Sequence, residues 1–176
     1  DDVESRGLGD VYKRQIMQGD EALMDLVDQL REDPDPVVLV LFSDHLPWMG
    51  DGNVFYDELG MDIDPGTEEG FRRHYTTRYL LWANAAAREV LDNDFTGDGP
   101  TVSPCYLMNL LFDQCGWTGP AFMQAMEDMR QVFPVVTTHG CYVVDGDFTD
   151  SIPAARRELF DQFRYLQHYW RNEFLE

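Results

Sequence analysis

The apolar run at residues 37–42 is the feature that most constrains the fold of this chain. The sequence VVLVLF lies between the proline-containing segment EDPDP and the polar segment SDH. A short, continuous apolar run bounded by helix-breaking residues is typical of a strand covered on both faces, as in a parallel sheet. The run therefore predicts a buried β-strand that ends at Asp44 and His45, with Pro47 just beyond.

Asp44 and His45 are candidate metal ligands because of this position. Open α/β sheets bind ligands outside the carboxyl ends of their strands. Adjacent side chains in a regular strand point to opposite faces, but at a turn they can converge, and Pro47 favours such an exit. A carboxylate with a neutral imidazole suits Mn, Zn or Fe. The alternative is a capping aspartate beside a surface histidine, and a metal site would need further ligands from elsewhere.

Helical and extended patterns alternate in the first half of the chain. From Asp20 onward Leu23, Val27 and Leu30 recur on one face and predict an amphipathic helix that ends at the EDPDP segment. Residues 49–70 are rich in glycine and acids and predict a long irregular connection. Residues 76–84 predict a second strand.

The second half of the chain predicts three more helices and a hairpin. Ser103 is expected to cap a helix that starts at Pro104 and ends before Gly116, and a following helix stops at Pro134. The segment VVTTHGCYVVDGDF predicts a hairpin that turns at Asp145-Gly146, and residues 153–172 predict a terminal amphipathic helix. Together these elements predict an α/β fold.

The composition of the chain excludes several kinds of partner. The chain has 176 residues, 44% of them hydrophobic, which is enough to fill a core. Its formal net charge of −20 argues against nucleic acid and anionic membrane surfaces as direct partners. No stretch has the roughly 18 to 20 apolar residues of a membrane span, and no signal-peptide pattern opens the sequence.

The N-terminal segment does not resemble the rest of the chain. SRGLGDVYKRQ is similar to a translated adapter-like stretch found at the ends of assembled environmental reads. We therefore expect residues 1–15 to be a non-native leader, with an ordinary flexible terminus as the alternative. The native gene is then expected to continue upstream.

The remaining histidines, tryptophans and cysteines are assigned structural roles. His139 is expected in a turn or a half-buried polar position, His74 on a solvated face, and His168 on the terminal helix. The tryptophans are expected to pack in the core or at its rim: Trp48, Trp82, Trp117 and Trp170. Without a C-x-x-C pair, the three cysteines are expected to be buried free thiols: Cys105, Cys115 and Cys141.

Several segments in order resemble the lipoteichoic acid synthase-like sulfatase family of the alkaline-phosphatase-like superfamily. GDEALMDLVDQLREDPDPVVLVLFSDHLP resembles the family's helix followed by a strand ending in Gly-Asp-His-x-Pro. HYTTRYLLWAN is similar to its next strand, VSPCYLMNLLFDQCGWTGPAFMQAMEDMRQVFPVV to its helical pair, and YLQHYW to its closing helix. The resemblance covers roughly residues 19 to 170.

The resemblance implies a partial alkaline-phosphatase-like sandwich, with helices packed on a mixed sheet. Residues 16–176 would be the C-terminal part of the catalytic domain of a membrane-anchored enzyme that faces outward from the cell. Such enzymes transfer phosphoglycerol or related groups from phospholipid head groups to glycan or polymer acceptors. They use a divalent cation, commonly manganese, with Mg or Zn possible, and a threonine nucleophile. Carried over by position, Asp44 and His45 would be metal ligands.

No catalytic residue is assigned within this chain, because the nucleophile and the acidic ligand belong to the family's N-terminal half. We therefore expect the chain to be inactive by itself, with its substrate-binding residues unknown. The metal would lower the pKa of the threonine hydroxyl and neutralise charge in the transition state. Two other functions stay open: a sulfatase or phosphodiesterase of the same fold, and a non-enzymatic acidic α/β binding module.

Three positions depart from the family pattern. Ser43 replaces the usual glycine, a mild change because serine is small. Arg78 replaces a common proline, and its guanidinium could contact phosphate. LQHYW replaces a usual Gln-Tyr-Asp segment, which weakens any role for the last helix.

Overall fold

The computed structural model describes residues 2–172, and the side chains of residues 13–172 apart from residue 15. Within this range the α-helices are α1 (Asp2–Glu32), α2 (Val54–Glu58), α3 (Glu68–Tyr75), α4 (Ala85–Leu91), α5 (Leu107–Gln114), α6 (Ala121–Val132) and α7 (Arg157–Asn172). The strands are β1 (Val38–Phe42), β2 (Tyr79–Ala83), β3 (Val135–Val136), β4 (Tyr142–Val144) and β5 (Asp147–Thr149). Short 3₁₀ helices span Asp51–Asn53, Pro104–Tyr106 and Ala154–Arg156.

This mixture of helices and two small sheets confirms the predicted α/β class. β1 pairs with β2, and β3, β4 and β5 form a three-stranded sheet in that order. The turn at Asp145-Gly146 joins β4 to β5 as predicted, and both residues have positive φ, 51° and 95°. Two positive φ values match the tight hairpin turns whose twist suits antiparallel strands.

The predicted parallel, fully covered environment of the first strand is wrong. Asn84 N donates to Val37 O at 3.1 Å and Ser43 N donates to Arg78 O at 3.3 Å. This order of partners makes β1 antiparallel to β2, and the other described sheet is antiparallel as well. Phe42 at the end of β1 is 54% exposed. Within residues 2–172 the sheet of β1 has two strands, which leaves part of its apolar surface uncovered.

Several predicted boundaries also need correction. The first helix begins at Asp2 rather than near Asp20, so it runs through the segment interpreted as a leader, and the non-native origin of that segment stays a prediction. Residues 49–70 contain α2 and the start of α3. α3 forms there because Thr67 caps it, accepting from Gly70 N at 3.0 Å, and Glu68 pairs with Arg72 one turn later at 3.0 Å.

The described residues divide into two compact units. The first comprises the chain up to Leu39 together with Leu81–Phe95. Its central residue is Asn84, a fully buried side chain that caps α4 by accepting from Ala87 N at 2.9 Å. The same oxygen accepts from Val37 N at 3.1 Å. The amide nitrogen lies 3.2, 3.1 and 2.8 Å from the carbonyl oxygens of Leu30, Asp33 and Asp35.

The second unit comprises Val40–Leu80 and the chain from Thr96 onward. Its core is a cluster of buried residues: Tyr106, Met126, Met129, Phe133, Val144, Ile152 and Phe163. Ser103 precedes the 3₁₀ helix at Pro104 as predicted, but its hydroxyl does not cap a helix. It bonds both the N–H and the carbonyl of Val136 at 2.8 Å, which ties the start of this helical segment to β3.

Among the helices that the structure describes, none combines the length and the apolar character needed to cross a bilayer.

Replacing Asn84 with alanine is expected to destabilise the protein strongly. The change leaves buried backbone groups of Val37, Ala87 and the end of α1 without their partner. Burying such groups unpaired costs roughly 1–3 kcal/mol each when water cannot reach them, so a loss of about 2–4 kcal/mol is expected. Urea unfolding followed by circular dichroism measures it.

The matched control is Asn172→Ala, which removes an exposed amide that bonds only within α7. Its effect is expected to stay within about 0.5 kcal/mol. Equal destabilisation by the two substitutions would show that the Asn84 bonds do not hold the first unit together.

Candidate metal-binding site

The chain leaves β1 at Ser43 and bends at Asp44 and His45. Two hydrogen bonds hold the backbone of Ser43. Its N–H donates to Arg78 O at 3.3 Å, and its carbonyl accepts from Thr77 Oγ1 at 2.7 Å. Two residues beyond the bend, the carbonyl of Pro47 accepts from the hydroxyl of the buried Tyr56 at 2.8 Å. Hydrogen bonds therefore hold both ends of segment 43–47 in place.

The structure brings the two candidate ligands together. Asp44 Oδ2 lies 3.4 Å from His45 Nε2. The other carboxylate oxygen, Oδ1, accepts from the backbone N–H of His45 at 2.9 Å. The two carboxylate oxygens thus have different roles, because one fixes the side chain against the backbone and the other faces the imidazole.

The second nitrogen of His45 determines where its proton lies. Nδ1 is 2.7 Å from the carbonyl oxygen of Leu46. A carbonyl oxygen can only accept, so Nδ1 carries a hydrogen and donates it. In the neutral imidazole Nε2 then has a bare lone pair. When the imidazole is neutral, Nε2 and Asp44 Oδ2 are therefore both acceptors, and they lie 3.4 Å apart.

This arrangement fits the donor set of a divalent cation. A histidine that ligates a metal commonly donates its other N–H to a carbonyl oxygen, as His45 does to Leu46. Two ligands about 2.0–2.1 Å from one ion are about 3.3–3.4 Å apart at a tetrahedral angle and about 3.0 Å apart at a right angle. The observed 3.4 Å lies at the tetrahedral end of this range.

The exposure of the pair limits what it can do alone. The side chains of Asp44 and His45 are 83% and 76% exposed, so water and salt screen the electrostatic interaction between them. No group of three or more His, Cys, Asp or Glu side chains able to hold a metal occurs in the part of the chain that the structure describes. The pair could therefore supply at most two ligands of a metal site, and its metal role stays a prediction.

The other histidines lie in structural contacts. His139 is exposed in the turn before β4, as expected, and its ring stacks on Tyr75 at 4.5 Å. His74 is not on a solvated face, because it is half-buried with Nδ1 3.1 Å from Ile63 O. His168 is exposed on α7, with Nδ1 3.0 Å from the amide of Asn172.

The cysteine prediction is confirmed in part. All three thiols are free, but Cys115 alone is buried, Cys141 is half-buried and Cys105 is exposed. Trp170 packs as expected, stacked on Phe122 at 4.2 Å, and Trp117 lies edge-on to Phe112 although it is 49% exposed. Trp48 is 63% exposed, so its predicted packing is wrong.

Comparison with known proteins gives a coarse indication of relationship. No family model and no solved structure matches the chain. A protein of Rhizobium meliloti (strain 1021) named "Putative cyclic beta-1,2-glucan modification protein" is 24% identical over 173 residues. The match covers 89% of this chain but only 24% of that protein. The chain is thus similar to about a quarter of a much longer protein.

Two contacts that shape the site have little signal in the sequence. Thr77 belongs to the TTRY segment, but its bond to Ser43 depends on the antiparallel return of β2, which the sequence did not predict. The carbonyl of Leu46 that orients His45 is a backbone group, which any residue at that position would supply.

Addition of Zn²⁺ to the ¹⁵N-labelled 176-residue chain is expected to shift the Nε2 resonance of His45 selectively. The chain has four histidines, so imidazole ¹H–¹⁵N spectra resolve each ring. Nδ1 of His45 should keep its proton throughout, because it donates to Leu46.

Asp44→Asn should weaken the response, and Asp57→Asn, an equal change of charge at an exposed position of α2, should not. Equal shifts in all four histidines, or a His45 ring unaffected by Zn²⁺, would argue against the site.

Proposed function

We propose that this chain is the C-terminal part of the catalytic domain of a metal-dependent phospho-group transferase. The enzyme would act on phospholipid head groups and modify a glycan or polymer of the cell envelope. The observation that carries the proposal is the 3.4 Å approach of Asp44 Oδ2 to an imidazole nitrogen whose partner nitrogen donates to Leu46. The name of the Rhizobium relative, which refers to glucan modification, supports an envelope-related role.

Each of the two residues would contribute one ligand atom to the cation. Asp44 offers Oδ2 while Oδ1 is kept in place by the His45 N–H, and His45 offers Nε2 while Leu46 orients its ring. The divalent cation would be manganese, with Mg or Zn as alternatives. When bound, it would act as a Lewis acid on the phosphoryl group and neutralise negative charge in the transition state. Fixed ligands lower the cost of assembling such a site, because less freedom is lost on binding.

The charge of the chain gives the cation a second role. The chain has a formal net charge of −20, which repels the anionic phosphate of a lipid head group. A cation at Asp44 and His45 would provide a local positive centre for that phosphate. The backbone carbonyl of Arg78 accepts from the N–H of Ser43, which precedes the pair in the chain. The exposed side chain of Arg78 could also attract the phosphate.

The rest of the active site would come from chain beyond these 176 residues. The family resemblance places a threonine nucleophile and an acidic ligand in an upstream half, together with a membrane anchor and a domain that faces outward from the cell. The 24% coverage of the Rhizobium protein is compatible with a longer polypeptide. The donor would be a phospholipid head group, the acceptor a glycan or polymer, and nucleic acid would not be a partner.

Activity of the longer polypeptide tests the proposal. The upstream reading frame is joined to this chain, loaded with Mn²⁺, and assayed with glycerophospholipid vesicles and a β-glucan acceptor. We expect release of diacylglycerol and labelling of the glucan. Asp44→Asn and His45→Gln should each reduce the rate at least about 100-fold, because they remove several kcal/mol of transition-state stabilisation.

The control Asp57→Asn should keep the activity of the parent protein. The 176-residue chain without upstream sequence should show no turnover. Hydrolysis of an aryl sulfate without lipid turnover would instead identify a sulfatase, and full activity of the Asp44→Asn protein would contradict the proposal.

A further inference from the structure

The peptide group between Ser43 and Asp44 is fixed by a side chain from the segment that leads into β2. Thr77 lies two residues before β2 and is half-buried, and its hydroxyl donates to the carbonyl of Ser43 at 2.7 Å. That carbonyl belongs to the same planar peptide unit as the N–H of Asp44. The Thr77 bond therefore sets the orientation of the plane from which the Asp44 side chain departs.

Thr77 is itself held by a well-anchored helix. α3 ends at Tyr75, and Thr76 caps it in an extended conformation, donating its N–H to Arg72 O at 3.0 Å, so one residue separates the helix from Thr77. Phe71 of the same helix is buried and lies edge-on to Phe148 of β5, with ring centroids 5.8 Å apart. The packing of α3 against Phe148 thus restricts where the Thr77 hydroxyl can lie.

Asp44 and His45 need such an external constraint. Both side chains are largely exposed, and they lie in a bend rather than in a strand. Beyond the constraints that Thr77 and Tyr56 place on either side of the bend, the pair is fixed by contacts to its own backbone. Metal ligands bind best when neighbouring groups orient them, and loss of such groups commonly costs roughly 10- to 100-fold in metal affinity.

We propose that Thr77 is a positioning residue for the metal pair Asp44 and His45. This inference rests on the proposed function, because it assumes that the pair binds a divalent cation. Thr77 touches neither ligand, and it acts through the Ser43 carbonyl. Since Ser43 is exposed, water can replace the lost hydroxyl, so Thr77→Val changes the orientation of the peptide without burying an unpaired group.

A Mn²⁺ titration of the longer polypeptide, in which the upstream reading frame is joined to this chain, tests the inference and is followed by the electron paramagnetic resonance signal of free Mn²⁺. The specific component is the binding that His45→Gln abolishes, which separates it from weak binding to other acids. Thr77→Val should lower the affinity of this component about tenfold. Thr77→Ser, which keeps the hydroxyl, should restore it. The melting temperatures of the two proteins should be close to that of the parent chain.

Thr149→Val is the matched control, because the Thr149 hydroxyl also donates to a carbonyl, that of Ser151, at 2.8 Å, in another loop. It should leave Mn²⁺ affinity unchanged. Unchanged affinity in Thr77→Val would overturn the role of Thr77 while leaving the metal site intact.

Two further outcomes are decisive. If His45→Gln removes no component of Mn²⁺ binding, the pair does not form a metal site. That result would overturn both the proposed function and this inference. If Thr77→Val lowers the melting temperature, the Mn²⁺ affinity of Thr77→Ser tests the inference instead. An affinity equal to that of the parent protein supports the inference, and a reduced affinity overturns it.

Discussion

The buried amide of Asn84 is the interaction on which the start of the sheet depends. One side chain satisfies the last carbonyl groups around the end of α1, the N–H of Val37 before β1, and the N–H of Ala87 in the first turn of α4. Each bond contributes about 1 kcal/mol net, but breaking the set would leave several backbone groups unpaired in a buried place. Fixing Val37 also fixes the phase of β1, because a one-residue shift would exchange its two faces.

Just beyond the other end of β1, the structure places a carboxylate oxygen and an imidazole nitrogen next to each other. His45 Nδ1 donates its hydrogen to the carbonyl of Leu46, and Asp44 Oδ1 accepts from the backbone N–H of His45. The atoms left over, Nε2 and Oδ2, face each other at 3.4 Å. In isolation such an arrangement gains little, because exposed side chains are screened by water. A divalent cation between them would form a bond with each of the two atoms.

Much of this could be predicted from the sequence, because the signals were local. The apolar run at 37–42, the Asp145-Gly146 turn and the amphipathic period of the last helix each reflect short-range preferences, and the structure contains all three elements. The antiparallel return of β2 could not be predicted, because an apolar strand looks the same in either direction. The Asn84 contacts and the Thr77–Ser43 bond join residues up to 54 apart, so no spacing rule identifies them. Asp44 and His45 were identified by position, but their orientation depends on a backbone carbonyl and a bend.

The most direct test of the central claim is a crystal structure of the longer polypeptide, in which the upstream reading frame is joined to these 176 residues, soaked in MnCl₂, with diffraction data collected above the manganese absorption edge. The account predicts an anomalous difference peak about 2.0–2.2 Å from both Asp44 Oδ2 and His45 Nε2, with Nδ1 still donating to Leu46. Anomalous peaks at other acidic residues with none between these two atoms, or side chains of Asp44 and His45 turned away from a common point, would contradict it.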